Sequence, residues 1–282
     1  MGAVTKPLTL MAVCPHPDDE CTSAGGALAL YADQGVRTVV VTCTNGELGD
    51  GHGGVKPGQP GHDERAVAAT RLGELAESCR ILHVSHSEKL GYRDSGMSDW
   101  DFKDHPDAFC NIPVEQAVDR LVGLMETYEP DVVICDDDRG GYDHPDHLRA
   151  HLITTKAVAQ SGIPKKLYMP SFGRETFETL QTALRELGVE LPMPELDAAA
   201  LAMLEEASGR ITTTLDARAY AEQVRAALEA HASQIAESWF SHIPTEAFRL
   251  AFGQQTFIRA HDTTGAPVPE TDLFAGIREE TR

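Results

Sequence analysis

One imidazole and three carboxylates stand together in Pro15-His16-Pro17-Asp18-Asp19-Glu20, and two more imidazoles flank a carboxylate in His144-Pro145-Asp146-His147. Neutral imidazole nitrogen and carboxylate oxygen are the ligands of catalytic zinc, which takes three protein ligands and keeps one position open. The two clusters together can supply a two-histidine, one-carboxylate set with acids to spare. In Asp18-Asp19 the side chains diverge, so one can bind metal while the other faces the water held there. A carboxylate so placed can take the proton of that water, whose pKa zinc lowers towards ~7. His144 and His147 are three apart and lie on one side of a helix if they straddle its start. One can bind metal while the other reaches the substrate oxygen or the leaving group. Just upstream, in Gly140-Gly141-Tyr142-Asp143, Tyr142 can donate its hydroxyl to an oxyanion.

Each cluster follows an apolar run: Leu8-Thr9-Leu10-Met11-Ala12-Val13-Cys14 before the first, Val132-Val133-Ile134-Cys135 before the second. Both runs read as buried strands, which puts the clusters at strand carboxyl ends, the edge where open α/β sheets bind ligands. Strands are predicted at 8–14, 37–43, 81–84, 131–135 and 166–169, alternating with helices at 21–34, 63–79, 114–128 and 145–160. Such alternation predicts an α/β, Rossmann-like, mostly parallel sheet flanked by helices over residues 1–170. Beyond Pro170 helical segments at 175–187, 197–208 and 217–236 predict a smaller α-rich C-terminal cap, 171–282, completing the same domain. The Gly-rich loop at 45–61 is long for a connection, a length more often functional than idle. His105-Pro106-Asp107 follows no strand and reads as a turn. Asp136-Asp137-Asp138 reads as strand-end acid behind the ligands, because hard-cation sites rarely recruit histidine.

The chain has 282 residues, 41% hydrophobic and 24% charged, which predicts a packed core, and its net charge is -20. That charge excludes nucleic acid and an anionic membrane surface as partners, since both need basic patches. No apolar stretch follows a basic N-terminal segment, none is long enough to span a membrane, and none of the six cysteines forms a CxxC pair. Reduced thiols and a cytoplasmic location are expected. Cys21, beside the acidic cluster, is a spare candidate as ligand or nucleophile. No G-x-G-x-x-G follows the first strand, which counts against a dinucleotide-binding protein.

The paired Pro-His-Pro-Asp-Asp-Glu and His-Pro-Asp-His motifs resemble those of the LmbE-like (PIG-L) zinc N-deacetylases. Further runs resemble the mycothiol branch of that family: Thr42-Cys43-Thr44-Asn45-Gly46-Glu47, Arg71-Leu72-Gly73-Glu74-Leu75, Arg93-Asp94-Ser95-Gly96-Met97, Ala230-His231-Ala232-Ser233-Gln234 and Glu270-Thr271-Asp272-Leu273. The resemblance implies that His16, Asp19 and His147 bind zinc, a ligand set that iron(II) also accepts. It implies Asp18 as general base, His144 as the residue that stabilises charge and assists the leaving amine, and Tyr142 as the group polarising the carbonyl. It places Arg71, Asp94, Glu47 and Ser23 against a sugar or inositol, with Glu20 and Asp146 supporting the site from behind. Asp143 departs from the glycine usual there. The implied activity is removal of an acyl group from an N-acyl-glucosamine unit, as in N-acetylglucosaminyl-inositol deacetylation. Ser23 and Ser95-Gly96-Met97 point to that deacetylase. Trp239-Phe240-Ser241-His242-Ile243-Pro244 points instead to an amidase of mycothiol S-conjugates; the runner-up activity is that amidase or a deacylase tailoring a glycosylated natural product. A non-catalytic sugar-binding homologue is disfavoured by the intact Asp18 and ligand set.

Overall fold

A computed structural model of the chain describes residues 6–139, 144–191, 196–236 and 238–280. Tyr142 and Asp143 lie outside them. The first part runs β1 (Thr9–Cys14), α1 (Asp19–Asp33), β2 (Arg37–Thr44), α2 (Glu64–Ile81), β3 (His86–Tyr92), α3 (Val114–Tyr128), β4 (Val132–Cys135), α4 (Pro145–Ser161) and β5 (Lys166–Pro170). The remainder supplies α5 (Arg174–Glu186), α6 (Ala198–Arg210), β6 (Thr213–Asp216), α7 (Ala221–Glu229), α8 (Ala232–Ile235), α9 (Thr245–Phe252), β7 (Gln254–Asp262) and α10 (Ile277–Glu280). Among the described residues one seven-stranded sheet forms, in the order β3-β2-β1-β4-β5-β7-β6. The five strands from β3 to β5 are parallel; β7 runs antiparallel to β5, and β6 antiparallel to β7.

The central strands β1 and β4 are buried along their whole length, as parallel strands covered on both faces must be. Alternate residues feed two cores. Leu10, Ala12 and Val40 pack with α1, α5, α7 and α9, whereas Met11, Val13, Val39 and Val41 pack with α3 and α4. Gly26 of α1 lets that helix approach closely: a Cβ there would stand 2.8 Å from both Ala217 Cβ and Gln255 Oε1. The α1 backbone uses the contact, since Ala27 N–H donates to Gln255 Oε1 at 2.7 Å.

Three expectations change. The strand predicted at 81–84 is the end of α2 and the turn after it, with Leu82 in the core. The strand itself is β3, a largely exposed edge strand whose polar residues show no apolar run. The helix predicted over 217–236 is broken into α7 and α8, parted at Ala230-His231. The segment beyond Pro170 also contributes two strands to the sheet, β6 being only four residues long.

Those strands are held by a buried charge. Glu270 accepts from Tyr168 Oη (2.8 Å) and Lys166 Nζ of β5, Thr213 Oγ1 (3.0 Å) of β6 and Arg259 Nη1 (2.9 Å) of β7. Two residues on, Asp272 Oδ1 accepts from Tyr31 Oη of α1 at 2.7 Å. No helix among the described residues is long and apolar enough to cross a membrane. Removing one member of a buried ion pair strands its partners. Glu270→Ala leaves Lys166 and Arg259 without their shared anion and is expected to cost about 3–5 kcal/mol, read as a lowered urea midpoint. An unchanged midpoint would show that Glu270 does not hold the antiparallel strands.

Candidate metal centre

β1 and β4 pair in parallel, Leu10 opposite Val132 through Val13 opposite Cys135, so the loops that follow them leave the same sheet edge. The strand order reverses between these two, the switch point at which open α/β sheets bind ligands. The first loop leads into α1, whose first residue is Asp19. The second leads into α4, whose N-cap is His144, with Nδ1 accepting from Asp146 N–H at 3.1 Å and Pro145 in the first turn.

His16, Asp19 and His147 converge. His16 Nδ1 lies 3.3 Å and His147 Nε2 3.6 Å from the same Asp19 oxygen, Oδ2. Ligands held tetrahedrally at about 2.0–2.1 Å from zinc stand about 3.3 Å apart, so the spacing suits a metal between them. Each histidine turns its other nitrogen to a carboxylate, His16 Nε2 to Asp146 (3.2 Å) and His147 Nδ1 to Asp136 (3.0 Å). Carboxylates behind metal-binding imidazoles commonly fix ring and tautomer in this way. The buried acids Asp94, Asp136 and Asp146 leave negative charge that a cation would offset. The residues therefore fit a divalent metal. A second convergent group, His16, Asp94, His144 and Asp146, shares His16. It reads as hydrogen bonding, because Asp146 already accepts from Ser95 N–H (2.9 Å) and Ser95 Oγ as well as from His16.

Asp18 belongs to neither group. Its backbone sits at φ 121°, ψ −29°, a conformation that a non-glycine residue holds only under constraint, at about 1–3 kcal/mol. Arg71 donates to its Oδ2 at 3.0 Å, and Glu20 Oε2 accepts from its N–H at 3.0 Å. Burial pushes the Asp18 carboxyl up to about 6, against the pull of Arg71. Glu20, wholly buried, also binds Ser78 Oγ (2.5 Å) and His231 Nε2 (2.7 Å).

The guanidinium of Arg71 is bound to Pro17 O (2.7 Å) and Gly46 O (2.8 Å) as well as to Asp18. Gly46 has φ +67° and room for no Cβ, which would meet Arg71 Nη1 at 2.6 Å. Asp94 Oδ1 accepts from Gly96 N–H at 2.8 Å and lies 3.7 Å from His16 Nε2, while Glu47 Oε2 accepts from Asp94 N–H at 3.2 Å. Ser23 is half-buried on α1 and lines a cavity of about 510 Å³ with Asp19, Asp136, His147, Phe172 and Met203. Burial lowers the His144 imidazole to about 3. His105-Pro106-Asp107 is exposed, its Asp107 N–H bound to His105 Nδ1 as in a turn.

Two residues of the site, Ser95 and His231, lie in quoted motifs but carry no contact that the sequence could show: Ser95 donates to Asp146 and His231 lies against Glu20. The 45–61 loop is also pinned from afar: Gln234 accepts from Asp50 N–H (3.0 Å) and donates to Asp50 O (3.1 Å). The arrangement behind His16 makes a specific claim. Asp146→Asn keeps the shape but weakens the acceptor facing His16, and is expected to lower zinc affinity about 10–100-fold in titration against a chelator. Unchanged affinity would show that Asp146 does not support the ligand.

Comparison with known proteins adds to this geometry. Residues 11–158 match the family model described as "PIG-L: GlcNAc-PI de-N-acetylase". A 1D-myo-inositol 2-acetamido-2-deoxy-alpha-D-glucopyranoside deacetylase of Acidothermus cellulolyticus is 37% identical over 285 residues, covering 95% of each chain. Among solved structures, N,N'-diacetylchitobiose deacetylase from Pyrococcus horikoshii aligns with a TM-score of 0.58 at 21% identity, over 89% of this chain and 83% of that one. GalB, a 4-carboxy-2-hydroxymuconate hydratase from Pseudomonas putida, aligns at 0.59 and 16% identity, over 92% and 99%. At those identities the two structures establish the fold alone. The metal-binding geometry, the family match and the full-length relative agree: the chain belongs to the PIG-L family.

Proposed function

We propose that this protein is a zinc-dependent N-deacetylase that hydrolyses the acetamide of a glucosamine linked to inositol. The observation that carries the reading is a two-histidine, one-aspartate cluster with a spare, separately held carboxylate, Asp18, next to it in sequence. The substrate named for the 37%-identical relative supports the sugar and its inositol. When bound, a zinc ion would polarise the acyl oxygen and acidify water, and His16, Asp19 and His147 would hold it.

The chain's own residues account for the proton traffic. Asp18 accepts a proton from the attacking water as its oxygen bonds to the acyl carbon. Arg71 and Glu20 hold Asp18 so that the carboxylate need not reorganise. Since His144 Nδ1 accepts from Asp146 N–H, the neutral ring carries its proton on Nε2 and donates there to the charge developing on oxygen. The C–N bond then breaks, the amine nitrogen takes up the proton that Asp18 removed, and acetate and the free amino sugar leave. Tyr142 adds a hydroxyl donor to the oxyanion in this scheme. Ser23, Glu47 and Asp94 form the sugar wall, with Arg71 acting on that wall through Asp18 and Gly46. Six unpaired thiols support a reducing, cytoplasmic setting.

One observation favours a bulkier substrate as a second reading. An apolar cavity of about 240 Å³, lined by Phe172, Phe240, Phe248 and Phe252, shares Ser23 and Phe172 with the metal-site cavity. Phe240 belongs to the run that resembles the conjugate amidase. Such a cavity would seat the apolar part of an S-conjugate or a longer acyl chain.

Release of free amine from 2-acetamido-2-deoxy-α-D-glucopyranosyl inositol, assayed beside a bulky mycothiol S-conjugate, separates the two readings. The expected result is preferred turnover of the acetamide; a higher kcat/KM on the conjugate would overturn it. His16→Ala, Asp19→Ala and His147→Ala should each lose zinc by elemental analysis and lose activity. Asp18→Asn should keep zinc and lose about 10²–10⁴ in kcat. An Asp18→Asn protein devoid of metal would make Asp18 a ligand, and full metal in all three ligand variants would place the ion elsewhere.

A further inference from the structure

Glu20 and His231, 211 positions apart, form a wholly buried pair: His231 Nε2 lies 2.7 Å from Glu20 Oε1. The same oxygen accepts from Ser78 Oγ at 2.5 Å and from Cys21 Sγ at 3.3 Å. The other oxygen of Glu20 accepts from the backbone N–H of Asp18. The contact of His231 with Glu20 is too short for a second metal site. Atoms sharing a tetrahedral zinc stand about 3.3 Å apart, whereas 2.7 Å and 2.5 Å are hydrogen bonds. Glu20, Cys21, Ser78 and His231 form a hydrogen-bonded network in which only His231 Nδ1, among their buried side-chain nitrogen and oxygen atoms, has no partner, and the network's outlet toward the chemistry is Asp18 N–H.

That outlet lies at the strained position. Asp18 is the N-cap of α1, yet its side chain caps nothing, and its φ of 121° must be held from outside. Arg71 holds the carboxylate, and Glu20 holds the peptide. A carboxylate with two free rotamers would hold it loosely; Glu20 is locked because His231, Ser78 and Cys21 occupy its remaining oxygen.

His231 is itself positioned by a strap. It sits at the break between α7 and α8, followed by Ser233, whose N–H and Oγ donate to Glu74 of α2 at 2.8 and 2.7 Å. Gln234 then pins Asp50 of the 45–61 loop. The strap therefore ties α1, α2 and that loop together around Asp18, and α2 carries Arg71 one turn before Glu74.

We infer that His231 is a positioning residue for the reaction: through Glu20 it fixes the strained backbone of Asp18 and so aims the base. The inference rests on the proposal that Asp18 is the base, and a double-mutant cycle separates the two. His231→Ala should retain zinc and lower kcat about 10–100-fold, the scale of a misplacement near 1 Å, with KM changed less than about twofold. His231→Gln, whose amide can still donate to Glu20, should recover most of that loss. In an Asp18→Asn background, His231→Ala should change the residual kcat by less than about twofold, because residues acting through one another are not additive. Should His231→Ala fail to fold, the cycle is run with Ser78→Ala, which removes another donor from the same carboxylate oxygen and should show the same loss of kcat and the same non-additivity with Asp18→Asn. An unchanged kcat in His231→Ala overturns the inference. So does an equal loss in both backgrounds, or a fall in kcat that tracks zinc content. Wild-type kcat in Asp18→Asn alone would sink the base assignment itself, a result visible without any change at His231.

Discussion

Everything at the active edge depends on the pairing of β1 with β4. His16 and His147 are separated by 131 positions, and no local geometry brings them together. Two parallel strands held side by side do so, because the segments that follow them leave from the same edge. Helices α1 and α4 follow these strands, so the side chains that meet there come from the connection before α1, from the first turn of α1, and from the N-cap and first turn of α4. Their placement is thereby tied to the most buried part of the sheet, where small displacements are resisted by packing on both faces.

Such a convergence gathers acid. Asp18, Asp19, Asp94, Asp136 and Asp146 all lie within or beside a site largely closed to water. A protein can place so many carboxylates there only with cations and hydrogen-bond donors shared among them. The answers differ from residue to residue: Asp146 takes Ser95 and His16, Asp136 takes His147, Asp94 takes the Gly96 amide, and Asp18 takes Arg71. The division lets neighbouring carboxylates behave differently. Asp19 faces the histidines, while Asp18, one residue earlier, is held by an arginine and a strained backbone.

Much of this was legible from residue types. Apolar runs ending in Pro-His-Pro-Asp and in His-Pro-Asp-His mark buried strands with ligand-bearing ends, and alternation of strand and helix marks a parallel sheet. What remained hidden was non-local or lacked an apolar signature. β3 is an edge strand, so nothing forces alternate residues to be apolar, and the nearby apolar residues belonged to the end of α2. β6 is too short to show a period, and β7 is only partly buried. The role of His231 could not be read, because the motif that contains it shows no partner until the fold brings α1 beneath it. Glu270 and Asp272 appeared as part of a motif without chemistry. Their work is architectural, on β5 to β7 and on α1.

The Glu270 network also sets an order of events during synthesis. Lys166 and Tyr168 belong to the fifth strand, but the carboxylate that satisfies them is made about a hundred residues later. A nascent chain that has completed the five parallel strands still holds an unmatched ammonium at the sheet's growing margin, where water must solvate it. It also lacks Asp272, the acceptor for Tyr31 on the helix that opens with Asp19. The margin of the sheet therefore closes, and α1 gains the anchor at Tyr31, only when the C-terminal segment is in place. A truncation that spares every residue of the candidate metal centre would still remove the partners of Tyr31, Lys166 and Tyr168.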